Sequence, residues 1–102
     1  MDINNYSFAP YILDTEEEYI ERYENDDMQI EFWKEGRKGR DVYIIWSYSY
    51  DGSLDVAETF KTEEGGRALY NIIYNDYSGS PPDVEILQEQ IAHCHRLEEG
   101  TT

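Results

Sequence analysis

Between Met28 and Lys61, apolar and polar residues alternate in three successive runs, a period of two that belongs to pleated strands and that no helix satisfies. Met28, Ile30 and Phe32 alternate with Gln29, Glu31 and Trp33 as far as the loop Gly36-Arg37-Lys38-Gly39. In the next run Val42, Ile44, Trp46, Tyr48 and Tyr50 share one face, and Tyr43, Ile45, Ser47 and Ser49 share the other. Asp51-Gly52 supplies the positive φ that primed hairpin turns need. A third strand follows, with Leu54, Val56 and Phe60 inward and Asp55, Ala57, Thr59 and Lys61 outward. Glu58 interrupts the inward set, which implies a bulge near Ala57 or a sheet edge. Short links between neighbouring strands make this a three-stranded antiparallel meander.

The flanking segments read as helices. Thr15-x-x-Glu18 has the spacing of a capping box, and acids in the first turn suit the helix dipole. A first helix is therefore expected from Thr15 to about Asn25, with Tyr19, Ile20 and Tyr23 on one side and Glu17, Glu21 and Glu24 on the other. Thr62 caps a second helix running to about Asp76, whose Gly65-Gly66 weakens the first turn unless it serves close packing. In Ser78-Gly79-Ser80-Pro81-Pro82, Ser80 caps and Pro81 opens a third helix, which carries Val84, Leu87, Ile91 and Cys94 and frays after Leu97. The expected fold is one α+β domain of order αβββαα over residues 14–97, with an extended arm at 1–13 and a tail at 98–102. At 102 residues the chain suits a single core.

Charge narrows the function. Asp and Glu number 23 against 8 Lys and Arg, a formal net charge of -15, and ten tyrosines and two tryptophans are threaded among them. Carboxylates at this density repel one another. Affinity for DNA or RNA depends on Lys and Arg displacing counterions from phosphates, so nucleic acid is excluded as a direct ligand of the main surface. A basic partner is the natural complement. Low hydropathy with high net charge is also the signature of disorder, against which the alternation and the helix caps stand. The chain has no apolar stretch long enough for a membrane and begins without a basic, apolar leader, and its lone Cys94 suits a reducing cytoplasm.

The candidate partner-binding residues are Glu17, Glu21, Glu24, Asp26 and Asp27, with Trp33 and Tyr43. On a helix, carboxylates four apart stand about 5–6 Å from each other at Cβ, on the order of the spacing of successive phosphates. Such a row is also what any solvated helix face looks like. Trp33, Tyr43 and Ile45 are expected together on the outer sheet face, either exposed as binding anchors or covered by a helix or the N-terminal arm. Arg37, Lys38 and Arg40 form the sole basic cluster, which reads as a soluble turn. His93-Cys94-His95 diverge by 100° per residue on a helix and cannot converge on one ion. The acidic runs lack the spacing and glycine of a calcium loop, and no nucleophile elbow or phosphate-binding glycine loop is present. The sequence therefore implies a protein that is not an enzyme and holds no cofactor or metal.

In layout and in its acid-plus-tyrosine composition, the chain resembles the small phage-encoded anti-CRISPR proteins and related DNA mimics. The resemblance covers the element order from Asp14 to Leu97 and rests on no diagnostic motif. It implies an inhibitor acting in the cytoplasm of a host cell, whose carboxylates take the place of phosphates in the basic cleft of a CRISPR effector or another nuclease. An immunity protein that neutralises a cognate nuclease toxin has the same chemistry and is the alternative. A structural domain with charge for solubility is the third reading.

Overall fold

A computed structural model describes residues 15–100 apart from Lys38. Six elements follow in order: β1 (Thr15–Glu24), β2 (Met28–Arg37), β3 (Arg40–Ser49), β4 (Asp55–Phe60), α1 (Glu63–Tyr77) and α2 (Val84–Gly100). The strands pair antiparallel with their sequence neighbours in the order β1-β2-β3-β4, so the meander has four strands and the helices follow it. The arm expected over residues 1–13 lies outside the described residues.

The segment expected to be the first helix is strand β1, paired with β2 from Thr15 opposite Arg37 to Glu24 opposite Gln29. Its helix-like spacing has a specific origin. The register slips between Tyr19 and Glu21, so a bulge at Ile20 gives β1 one residue more than β2 opposite Phe32. Ile20 and Tyr23, three apart, both pack against the core as a result. A stripe at i and i+3 thus arises from a strand with one extra residue. The turn that follows is held by Asn25, whose Oδ1 accepts from the backbone N–H groups of Asp27 and Met28 at 2.8 and 2.9 Å. Its Nδ2 donates to the Ser78 carbonyl at 2.6 Å and ties this hairpin to the end of α1.

Residues opposite one another in an antiparallel pair point to the same side of the sheet. Phe32 faces Ile45 and Ile30 faces Ser47 across β2 and β3, while Ser47 faces Val56 and Tyr43 faces Phe60 across β3 and β4. This is the face the helices cover. Phe32, Ile45, Phe60, Leu69, Ile73 and Cys94 are all buried in one cluster between sheet and helices. Ser47 is buried among them and donates to the Gln29 carbonyl at 2.9 Å.

Gly65 and Gly66 set how closely α1 approaches the sheet. A Cβ on Gly65 would lie 2.8 Å from Phe60 Cδ1 and 3.3 Å from the Cys94 carbonyl, and one on Gly66 2.8 Å from Phe32 Cε1. The helix is capped by Thr62, whose hydroxyl accepts from Gly65 N–H at 3.2 Å. The Thr62 N–H in turn donates to the buried Glu98 carboxylate at 2.6 Å, fastening the end of α2 to the start of α1. That contact carries α2 past Leu97 to Gly100.

α2 begins later than expected, with Asp83 rather than Ser80 as its cap. The Asp83 carboxylate accepts from Glu85 and Ile86 N–H at 3.0 and 3.3 Å. Pro82 is the reason, because a proline disfavours helical backbone in the residue before it, here Pro81. Asp51-Gly52 does form the β3–β4 turn with Gly52 at φ 83°, but as part of a longer loop in which Ser49 N–H donates to Leu54 O at 2.9 Å. Glu58 faces inward on the edge strand β4 without a register shift, and bonds His95 Nε2 at 2.8 Å.

Candidate interaction face

Both helices lie on one side of the sheet, and no described element covers the other. The open face is built from the alternate positions: Glu17, Tyr19, Arg22 and Glu24 on β1; Gln29, Glu31, Trp33 and Glu35 on β2; Val42, Ile44, Trp46 and Tyr48 on β3; Asp55, Ala57 and Thr59 on β4. Tyr43 and Ile45, expected on the outer face beside Trp33, are on the helix side. That grouping requires an odd number of residues in the β2–β3 loop. The loop has two, since Arg37 pairs with Arg40, and Trp33 consequently faces Ile44.

Two aromatic clusters on this face are locked by their neighbours. Tyr19 and Trp33 stack with ring centroids 3.8 Å apart, and Trp33 Nε1 donates to Glu31 at 2.9 Å. At the other end Tyr48 accepts from Gln29 Nε2 and packs edge-on against Tyr50 at 5.8 Å. Tyr50 donates to Glu24 Oε2 at 2.7 Å, and this bond, with a smaller effect of burial, pushes its phenol up to about 12. Glu24 also takes Arg22 at 3.2 Å. Trp46 stands between the clusters, 55% exposed.

Among the described side chains, the carboxylates of Glu17, Glu24, Glu31, Glu35 and Asp55 share this face with the guanidinium groups of Arg22, bound to Glu24, and Arg40, at the hairpin end. Side chains two apart on a strand are about 6.6 Å apart, close to the spacing the helical row would have had. Acids are not confined here, however. Glu63, Glu64, Asp76, Glu85 and Glu89 are exposed on the helices.

The expected site residues are divided by the fold. Glu17, Glu24 and Trp33 lie on the open face. Glu21 lies on the other side, where it takes Arg67 at 2.5 Å while that guanidinium sits 4.9 Å over the Phe32 ring. Asp26 and Asp27 are in the β1–β2 turn and line a cleft of about 430 Å³ with Asp51, Tyr50 and Tyr77. Asp51 is consumed by that loop: it accepts from Ser53 N–H, Ser53 Oγ and Ser49 Oγ at 2.7–2.9 Å, bonds that hold its carboxyl down at about 2. Trp46, Tyr48 and Asp55 also stand on the open face, outside the expected set of site residues. The signal for the two rings was the aromatic run Trp46-x-Tyr48-x-Tyr50, whose mass suggests a core but which faces outward; Asp55 is outward as its strand pattern implied.

Elsewhere, Cys94 is fully buried, and burial pushes its thiol up to about 11. Among the described residues, no three His, Cys, Asp or Glu side chains are placed to hold a metal ion, and no helix is long and apolar enough to cross a membrane. Fold and surface define a small α+β domain with a four-stranded antiparallel sheet, two helices behind it and an acidic aromatic face in front. No family model, curated protein or solved structure matches the chain.

Proposed function

We propose that this chain is an acidic decoy that occupies the nucleic-acid-binding cleft of a basic protein, in the manner of the anti-CRISPR DNA mimics, with a CRISPR effector or another nuclease as its target. One observation carries the reading: a sheet face left open by both helices holds exposed aromatic rings among five carboxylates. Arginines of a basic cleft make charge-assisted, often bidentate bonds to such carboxylates, and the rings fill the space between them. The net charge of -15 speeds encounter with a cationic groove. A helical row of carboxylates has no part in this reading; strands present the charge.

The test is competition. Purified nucleases with basic clefts are loaded with labelled duplex DNA, and this protein is titrated in at several salt concentrations. Displacement that weakens with salt is expected. Replacing Glu17, Glu31, Glu35 and Asp55 by Gln or Asn abolishes it, whereas the same loss of charge at Glu63, Glu64, Glu85 and Glu89 leaves most of it. Equal effects of the two sets would show that bulk charge, not this face, is responsible, and no displacement of DNA from any basic nuclease would overturn the proposal.

A further inference from the structure

Trp46 is the one large ring at the centre of the open face that the rest of the described molecule leaves alone. It faces Glu31 on β2 and Ala57 on β4, with Asp55 diagonally across from it. Trp33 is stacked on Tyr19 and hydrogen-bonded to Glu31, and Tyr48 is bonded to Gln29. None of the ring contacts among the described residues includes Trp46. Ala57 contributes to this exposure, because its methyl group is too short to lean over an indole opposite it. The exposed indole therefore has the Glu31 carboxylate on one flank, the short Ala57 side chain on the other with Asp55 diagonal to it, and Ile44 and Tyr48 on either side along β3.

The chemistry of that setting selects its occupant. A second copy of the chain would bring a net charge of -15 against -15. A neutral apolar partner would bury the ring only by stripping water from Glu31 and Asp55. A guanidinium meets both demands, lying flat on the indole while its N–H groups bond to the carboxylates of Glu31 and Asp55, which reach in from the strands on either side, about 12 Å apart at the backbone. Lysine meets them less well, since its ammonium is a compact, strongly hydrated point charge with no plane to stack. We propose that Trp46, Glu31 and Asp55 form a subsite for an arginine side chain of the partner protein. The inference rests on the reading of this face as a surface for a basic protein and names the side chain it grips.

The experiment uses the full-length chain, labelled with ¹⁵N, whose two tryptophan indole signals are assigned with Trp33→Phe and Trp46→Phe. It is titrated with hexa-arginine and with hexa-lysine at one ionic strength. Hexa-arginine is expected to shift the Trp46 indole signal and to bind about 3- to 10-fold more tightly than hexa-lysine. Trp46→Ala removes that margin while lowering hexa-lysine affinity little, and Trp46→Phe, which keeps a π-face, retains part of it. The amide spectrum of each variant shows whether it is folded. Equal affinity for the two peptides, or binding without a Trp46 shift, overturns the subsite. So does a Trp46 shielded from acrylamide in the free chain, which would mean that the chain covers its own ring, or a Trp46 signal that moves with protein concentration alone, which would mean a second copy. Displacement of DNA from a nuclease by a Trp46→Ala chain as strongly as by the parent sinks this inference and spares the proposed function. Arginine-selective binding with no nuclease displaced does the reverse.

Discussion

Replacing Gly66 by alanine sets two known effects against each other. In a helix interior the change is worth about 1 kcal/mol in favour of alanine, from backbone entropy alone. Against it stands the sheet: the new methyl carbon would lie 2.8 and 3.1 Å from Phe32 Cε1 and Cζ and 3.4 Å from Tyr43 Cβ. Phe32 cannot give way easily, being fully buried opposite Ile45, with Arg67 over its ring and Tyr70 stacked at 6.0 Å. Overpacking of this kind costs about 1–3 kcal/mol. The clash should win by about 1 kcal/mol, lowering Tm by roughly 4–8 °C for a domain near this size. Urea denaturation of Gly66→Ala checks the sign. Gly79→Ala, where nothing lies within 4 Å, serves as the control and should be neutral or slightly stabilising. In a Phe32→Leu background the ring edge is gone and the alanine should turn neutral or favourable, a coupling of about 1 kcal/mol or more. If Gly66→Ala stabilises the parent as an exposed helix glycine would, or if the two sites are simply additive, the account of how α1 seats on the sheet is wrong.

Two further outcomes follow from titrating groups. Tyr50, whose phenol is held at about 12 chiefly by its bond to Glu24, should titrate near that value by NMR, and Glu24→Gln should bring it back towards 10. Because the folded pKa is the higher, this contribution to stability is complete below pH 10 and disappears as pH rises through about 12. The Cys94 thiol, raised to about 11 by burial, should react with a disulfide reagent at least roughly a hundredfold more slowly in the native chain than in urea. Fast native labelling would show that the face of α2 that carries Cys94 is not packed against the core.

Much of the fold was legible because local chemistry and tertiary placement agree. The alternation from Met28 to Phe60 gave β2, β3 and β4, Thr62 gave the start of α1, and Gly65-Gly66 gave the close approach. β1 was not legible, since Tyr19, Ile20 and Tyr23 at helical spacing fit a helix as well as a bulged strand, and an apparent capping box favoured the helix. The missed cue was Asn25-Asp26-Asp27, a turn whose Asn25 side chain holds the backbone of the next strand. The candidate site was legible as a composition only. Its acids and rings were countable, but which of them share a face depends on the number of residues in the β2–β3 loop.

The sequence by itself determined that this chain is strongly acidic, aromatic and built around an antiparallel meander, because charge and period are properties of residues and their immediate neighbours. The tertiary structure alone decided that β1 completes the sheet, that Tyr43 is turned towards the helices and that Trp46 is left in the open. The physical reason is pairing across strands. One residue more or fewer in a turn or bulge carries a side chain from the packed side of a sheet to the bare one, and no local preference records which side the helices will cover.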